Sequence, residues 1–257
     1  MVRSLGEQAA AAQLLVDRFI RNGQNVGIGS GELVNLAVEE IGLRLAAGSL
    51  TGVSAVPACS TAAHEAAFHG VPVAPVGTTK VDVAFDEVDQ LDVSANACVI
   101  GTSSEPQQPQ LQQAQTVARL ATTFVVMADA ENLVDRLRGC LPVLINADDW
   151  ETTAEELDDL MLGDAELWRR PAFGVANPRG GDFPYVSSEG ANILDIRFND
   201  DAPEFTLFGD AAAPYTSIAK EIGSFQGVLA HGLLVGVATA AVVARQGGDA
   251  EVVALKR

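Results

Sequence analysis

Basic residues are scarce in this chain. Its 257 residues include 16 lysines and arginines against 34 aspartates and glutamates, which gives a formal net charge of −18. A surface that binds nucleic acid without regard to sequence needs clustered cations to neutralise phosphates, and anionic membranes attract the same charge. Both partners are therefore disfavoured. The three lysines are Lys80, Lys220 and Lys256, and any mechanism that needs a lysine must use one of them.

Cysteine is equally rare. Cys59, Cys98 and Cys140 are widely separated, with no C-x-x-C pair and no histidine at a metal-ligand spacing. This pattern argues against a disulfide framework and a structural zinc site, and it predicts free, buried thiols in a reducing compartment. We expect neither a metal nor a cofactor.

Long hydrophobic runs are limited to one segment, from Gly227 to Ala244. The glycines, the β-branched residues and His231 inside it predict two buried strands rather than a membrane span. The first residues lack both the apolar core of a signal peptide and an Arg/Ser-rich transit segment. We expect a cytoplasmic location, or the plastid stroma if a transit peptide has been removed.

The apolar residues that are present, 48% of the chain, are enough to bury a sizeable core. Helical periodicity alternates with short apolar runs through the first half, which favours an α/β fold with a parallel sheet covered on both faces. The predicted helices are Glu7–Arg21, Leu33–Ala47, Ser60–His69 and Leu111–Thr122. The predicted strands enter the turn at Gly27, span Gly52–Pro57, begin at Gly70, and span Val81–Phe85, Cys98–Gly101 and Phe124–Ala128.

The pattern changes after the segment Leu141-Pro142-Val143. An acidic amphipathic helix is predicted over Asp148–Leu167, a loop over Phe173–Gly181, a strand over Ile193–Phe198 and a helix over Ala213–Ile222. We interpret residues 141–226 as a smaller α+β unit inserted before the last strands of the first.

A glycine-rich turn, Gly27-Ile28-Gly29-Ser30-Gly31, precedes the second predicted helix. Such turns hold phosphate because their N–H groups converge and the following helix adds its positive end. Glu32 opposes that use, since a carboxylate about 4 Å from a phosphate repels it by roughly 4 kcal/mol per unit charge. Nucleotide binding is a weaker alternative, because the third glycine of a dinucleotide fingerprint is missing.

Motifs in order along the chain resemble the type A ribose-5-phosphate isomerases. The glycine turn is similar to that family's G-L-G-T-G, and Asp86-Glu87-Val88-Asp89 resembles the end of its D-G-A-D-E-V-D. Further matches in the right order are Val56-Pro57-Ala58-Cys59-Ser60, Gly70-Val71-Pro72, Phe124 to Asp129, Leu141-Pro142-Val143, Asn192 to Asp195 and Gly227 to Leu233.

This resemblance implies a Rossmann-like sheet, residues 1–140 plus 227–257, with an inserted ferredoxin-like α+β domain at 141–226. It also implies a homo-oligomer that interconverts an aldose and a ketose through an enediol. In that chemistry a carboxylate removes the proton next to the carbonyl, and cationic and amide donors hold the oxyanion.

The resemblance places substrate binding at Gly29, Ser30 and Gly31, with Ser60 or Thr61 as further hydroxyl donors. The chain departs from the family's substrate-binding motifs in two segments. Glu32 and Leu33 stand where the family has Ser-Thr, and Ala58-Cys59-Ser60 stands where it has T-S-K. An alternative interpretation makes Ser60 or Thr61 the N-cap of the following helix.

The catalytic motifs are retained only in part. Asp86 falls on the second aspartate of D-G-A-D, whereas the first falls on Val83 or in a deletion. The remaining acids of this stretch, Asp82, Glu87, Asp89 and Asp92, are interpreted as a solvated loop. The family's lysine falls on Ile100 and its general base near Ala114, and Glu105 is the nearest acid, which is alternatively an exposed loop charge.

Two functions are therefore compared. In the first, the chain is a catalytically impaired relative that acts as a binding, regulatory or scaffold subunit, with a sugar phosphate as ligand or a protein as partner. In the second, it is an active aldose–ketose isomerase that uses Asp86 and Glu105 in a rebuilt site.

Overall fold

A computed structural model describes residues 5–77, 79–102, 110–172, 183–198 and 214–256. The helices are α1 (Leu5–Phe19), α2 (Glu32–Ala46), α3 (Ser60–Phe68), α4 (Leu111–Leu120), α5 (Trp150–Met161) and α6 (Pro214–Ser224), with a 3-10 turn at Ala130–Asn132. The first strands are β1 (Asn25–Ile28), β2 (Ser54–Pro57), β3 (Val81–Glu87), β4 (Gln90–Asp92), β5 (Ala97–Val99) and β6 (Ala121–Asp129). The later strands are β7 (Cys140–Ile145), β8 (Ala165–Arg169), β9 (Asn192–Phe198), β10 (Val228–His231), β11 (Leu233–Val235), β12 (Ala240–Ala244) and β13 (Ala250–Ala254).

A six-stranded sheet in the order β13-β12-β6-β3-β1-β2 forms the centre of the molecule. All its pairs are parallel except the antiparallel hairpin of β12 with β13. Successive side chains of a strand point to opposite faces. Val83 and Phe85 accordingly pack with α1, α2 and α3, whereas Ala84 packs on the face that α4 covers. The prediction of an α/β fold with helices on both faces is confirmed.

A second sheet has the order β10-β7-β9-β8 and is antiparallel throughout. The chain passes through it as β7-α5-β8-β9-α6-β10, which is the ferredoxin-like arrangement expected from the resemblance. Its fourth strand, β10, begins at Val228, two residues beyond the predicted end of the inserted unit at 226. The division into two domains stays a prediction. A small sheet, β11-β5-β4, lies beside these two.

Three predicted elements are wrong in extent. The strand expected from Gly70 to Val73 is reduced to one bridge between Val73 and Ala55. The helix expected to run to Leu167 ends at Met161, because Leu162 and Gly163 adopt positive φ angles of 52° and 86°. The apolar run at 227–244 forms three strands rather than two, one in each sheet. Within the described residues, no helix has the length and apolar character needed to cross a membrane.

Candidate active site

The candidate site lies at the carboxyl ends of β1 and β3. Strand β1 lies between β2 and β3 in the sheet. The chain runs from β1 to β2 on one side and then crosses to β3 on the other side. Open α/β sheets bind their ligands at such a switch point, outside the carboxyl ends of the strands. The glycine turn after β1 and the acids at the end of β3 meet there.

The glycine turn makes room for the carboxylates of β3. A Cβ atom on Gly29 would lie 2.0 Å from Oδ1 of Asp86, and one on Gly31 would lie 2.2 Å from Oε2 of Glu87. Gly31 also has a φ of 126°, a backbone conformation that residues other than glycine rarely adopt. Both glycines are therefore required by contacts within the chain itself.

Asp86 is 5% exposed and binds the turn directly. Its Oδ1 accepts hydrogen bonds from the backbone N–H of Ser30 at 2.8 Å and of Glu87 at 2.9 Å. Burial raises the pKa of this carboxyl to about 7; the two N–H donors oppose the rise, and the charges of Glu87 and Asp89 add to it. The structure thus brings Asp86 together with Gly29 and Ser30, while the catalytic role of the first and the substrate-binding role of the others stay predictions.

Glu87 caps the amino-terminal end of α2. Its Oε2 accepts a hydrogen bond from the backbone N–H of Leu33 at 2.8 Å. The residue at the N-cap position of α2 is Gly31, which has no side chain to accept that bond. Glu32, the first residue of the helix, is exposed and places a second acid in the first turn. The interpretation of Glu87 as part of a solvated loop is wrong, because it belongs to β3 and caps a helix.

The other acids of this stretch are also engaged. Asp82 accepts a hydrogen bond from Asn25 N–H at 3.0 Å, and Asp92 is 3% exposed and accepts one from the Tyr215 hydroxyl at 3.0 Å. Asp89 accepts one from Thr102 N–H at 2.9 Å, and burial raises its pKa. A run of acids in sequence is typical of an exposed loop, but here Asp92 is buried, and Asp82 and Asp89 are half-buried and hydrogen-bonded.

Helix α3, which follows β2, is capped by the thiol of Cys59. Helix α3 begins at Ser60, and Sγ of Cys59 accepts the hydrogen bond from Ala62 N–H at 3.3 Å. The alternative that made Ser60 or Thr61 the N-cap is therefore wrong by one or two positions. Ser60 is exposed and Thr61 half-buried. Burial raises the pKa of Cys59, and the charge of Asp86 adds to the rise.

Ile100 and Ala114 lie in the hydrophobic core. They are 2% and 4% exposed and belong to the same apolar cluster. The polar side chains of α4 bind the ends of other strands: Gln113 donates to the Pro57 carbonyl at 2.8 Å, and Gln115 donates to the His231 carbonyl at 2.5 Å. Sequence reasoning missed this use of the glutamines, whose only signal is their number in the helix.

Two cations among the described residues, Lys80 and Arg170, are paired with other groups. Lys80 precedes β3 and pairs with Asp82 at 3.0 Å. This pair lies at the amino end of β3, whereas the site lies at its carboxyl end. Arg170 is 1% exposed; it donates to Asp195 through Nε at 2.9 Å and to the Gly101 carbonyl at 2.9 Å. Its positive charge lowers the pKa of Asp89, against the larger effect of burial. Glu105 lies outside the described residues, and among those described no cluster of three metal-ligating side chains occurs.

Comparison with known proteins identifies the family. The model of ribose 5-phosphate isomerase A (phosphoriboisomerase A) matches residues 54–248. Ribose-5-phosphate isomerase A of Synechococcus sp. (strain WH7803) is 32% identical over 252 residues, 96% of this chain and 95% of the relative. The probable ribose-5-phosphate isomerase 3, chloroplastic, of Arabidopsis thaliana is 30% identical over 236 residues, 89% of this chain and 76% of the relative.

A solved structure shares the fold. A D-ribose-5-phosphate isomerase in complex with phospho-erythronic acid superposes with a TM-score of 0.80 at 22% identity, covering 98% of this chain and 100% of that one. The two relatives match over most of the chain, whereas the family model begins at residue 54, after the glycine turn. The chain belongs to the ribose 5-phosphate isomerase A family.

Proposed function

We propose that this chain is a ribose-5-phosphate isomerase A-like protein with impaired catalysis, which acts as a binding, regulatory or scaffold subunit. The observation that carries the proposal is the burial of Ile100 and Ala114 in one apolar cluster. By the resemblance, the lysine of the family falls on Ile100 and its general base falls near Ala114. Neither side chain can hold an oxyanion or take a proton.

The expected loss is large. Removal of a positioned base costs about 10² to 10⁴ in rate, and removal of an oxyanion donor costs about 10² to 10³. Lys80 cannot substitute, because five strand residues, Val81 to Phe85, separate it from Asp86 at a rise of about 3.3 Å per residue. The buried Arg170 cannot substitute either, since Asp195 and the Gly101 carbonyl already bind its guanidinium.

The ligand and assembly follow from the same comparison. The solved relative binds a sugar-phosphate analogue, so a sugar phosphate is the first ligand to test. We propose a homo-oligomer or a complex with a protein partner as the working form. A location in the cytoplasm or the plastid agrees with the cyanobacterial and chloroplastic relatives.

The alternative function is an active aldose–ketose isomerase with a rebuilt site. Asp86 favours it, because a buried carboxyl with a pKa of about 7 has the acidity of an effective general base at neutral pH. In this alternative Glu105 would supply the second carboxylate.

An isomerase assay separates the two functions. The chain and the Synechococcus relative are assayed side by side with ribose 5-phosphate. We expect the relative to turn over at an ordinary enzymatic rate, about 1 to 10³ per second, and this chain to be at least about 10²-fold slower. An ordinary rate would refute the impaired subunit. If a slower rate remains, its loss in both Asp86→Asn and Glu105→Gln would support the rebuilt site.

A further inference from the structure

The first turn of α2 is capped by a residue of strand β3. Helices expose unpaired N–H groups at their first turn, and a side chain at the N-cap position usually accepts one of them. Gly31 occupies that position and makes no side-chain hydrogen bond. The N–H of Leu33 donates instead to Glu87, which is 54 residues away in the chain.

The position of this carboxylate is that of a bound anion. The turn has glycines where a backbone must approach a ligand closely, followed by the positive end of a helix. The groups that approach the turn are two carboxylate oxygens. Oδ1 of Asp86 accepts a hydrogen bond from Ser30 N–H, and Oε2 of Glu87 accepts one from Leu33 N–H. A Cβ atom on Gly29 or Gly31 would collide with them.

We propose that Glu87 is a built-in anion that occupies the helix end of the glycine turn and excludes phosphate from it. The carboxylate uses a donor that a phosphate would need, and its charge together with that of Glu32 repels a second anion. A ligand that reaches this end of the turn must therefore present an uncharged group, such as a sugar hydroxyl. This inference goes beyond the proposed function, because it holds whether or not isomerase activity remains.

Two substitutions separate the charge from the cap. Glu87→Ala removes the carboxylate and leaves a gap beside Leu33 N–H. Glu87→Gln keeps an oxygen that can accept the same bond but is uncharged. Glu39→Ala is the matched control, since it removes an exposed acid from the middle of the same helix.

The probe is inorganic phosphate, compared with chloride at matched ionic strength in a thermal-shift titration. We expect Glu87→Ala to melt below the wild type in chloride and to bind phosphate at least tenfold more tightly than the wild type. Wild type, Glu87→Gln and Glu39→Ala should show no shift specific to phosphate. Equal phosphate binding by wild type and Glu87→Ala, or an equal gain in Glu39→Ala, would overturn the proposal.

A second measurement does not depend on the folding of a variant. The backbone amide signals of Ser30 and Leu33 in wild-type ¹H–¹⁵N spectra should stay unmoved when phosphate is added. Their saturable movement in the wild type would show that phosphate reaches the turn with Glu87 in place, and it would overturn the proposal. Isomerase activity is measured separately, so failure of this inference and failure of the proposed function are distinguishable.

Discussion

Asp86 carries the strongest electrostatic conflict at the candidate site. It is buried beside two further acids, and two N–H donors only partly offset the cost of its charge. The pKa is raised to about 7 in the folded chain, whereas an unperturbed aspartate titrates near 3.9. Between about pH 4 and pH 7 the folded state therefore holds a proton that the unfolded state releases.

Asp86→Asn should flatten the dependence of stability on pH. Stability from this group is fully present below the unfolded pKa and is lost as pH rises through the folded value. The asparagine oxygen can accept both N–H bonds without ionising. We expect the variant to resemble the wild type near pH 4.5 and to exceed it at pH 8, on the order of a few kcal/mol, in urea unfolding.

The exposed Asp158→Asn on α5 is the control, and it should leave the pH dependence unchanged. An unchanged pH dependence in Asp86→Asn would show that folding does not raise the pKa of this carboxyl.

At the scale of single residues, sequence patterns singled out Asp86 but not Glu87. The family motif singles out the aspartate, whereas the glutamate looks like one more acid in a charged stretch. Its partner, Leu33 N–H, is 54 residues away in the chain. The missing cap at Gly31 was the available signal, since a helix that begins with glycine needs its acceptor from elsewhere.

Among the elements, α2 and α3 are held together at a glycine. A Cβ atom on Gly42 of α2 would lie 2.2 Å from the backbone carbonyl oxygen of His69, which follows α3. That carbonyl belongs to the main chain and cannot rotate away. The close approach of the two helices therefore depends on the absence of a side chain at this position.

Gly42→Ala should destabilise the fold although alanine is the better helix former. Alanine gains about 1 kcal/mol in a helix interior, but overpacking against backbone costs about 1–3 kcal/mol. Gly223→Ala in α6 is the matched control, because its nearest neighbour is His231 Nε2 at 3.8 Å. We expect urea unfolding to show a loss for the first and a small gain for the second; equal gains would contradict this packing.

Most elements follow from local patterns, and the exceptions have local causes. Mainly apolar stretches indicate β2, β3 and β6, because strands covered on both faces carry few polar residues. The end of α5 was missed because periodicity continues through Leu162, whose left-handed conformation is not typical of leucine. The pairing of β8 with β9 then takes the residues assigned to the end of that helix.

Across the whole molecule, a buried ion pair joins the ferredoxin-like sheet to the edge of the candidate site. Arg170 follows β8 and binds Asp195 of β9 through two nitrogens, and it also donates to the Gly101 carbonyl beyond β5. Asp89 accepts its hydrogen bond from the next residue, Thr102. The position of this loop thus depends on the second sheet.

Arg170→Met should cost about 3–5 kcal/mol, because it leaves Asp195 buried without its partner. The double variant Arg170→Met/Asp195→Leu should recover most of that loss. Arg44→Ala is the comparison: its ion pairs with Asp17 and Glu40 are partly exposed, so it should cost at most about 1 kcal/mol. Additive losses in a double-mutant cycle of Arg170 and Asp195 would show that the pair is not coupled.

The family follows from the sequence because its motifs occur in order along the chain, and the comparisons confirm it. The state of the site does not follow in the same way. Ile100 and Ala114 differ from the motif in sequence, but only the fold shows that both pack in the core. A local motif reports which side chain is present, whereas burial and hydrogen bonding depend on residues far away.

The most direct measurement is proton exchange at the carbon next to the carbonyl. Ribose 5-phosphate is incubated with the chain in D₂O and followed by ¹H NMR, with the Synechococcus relative as the positive control. Enediol formation replaces the abstracted proton with deuterium and also yields the ketose. We expect neither deuterium incorporation nor ketose above the rate without protein. Incorporation or conversion at a rate comparable with that of the relative would contradict the proposed loss of isomerase chemistry.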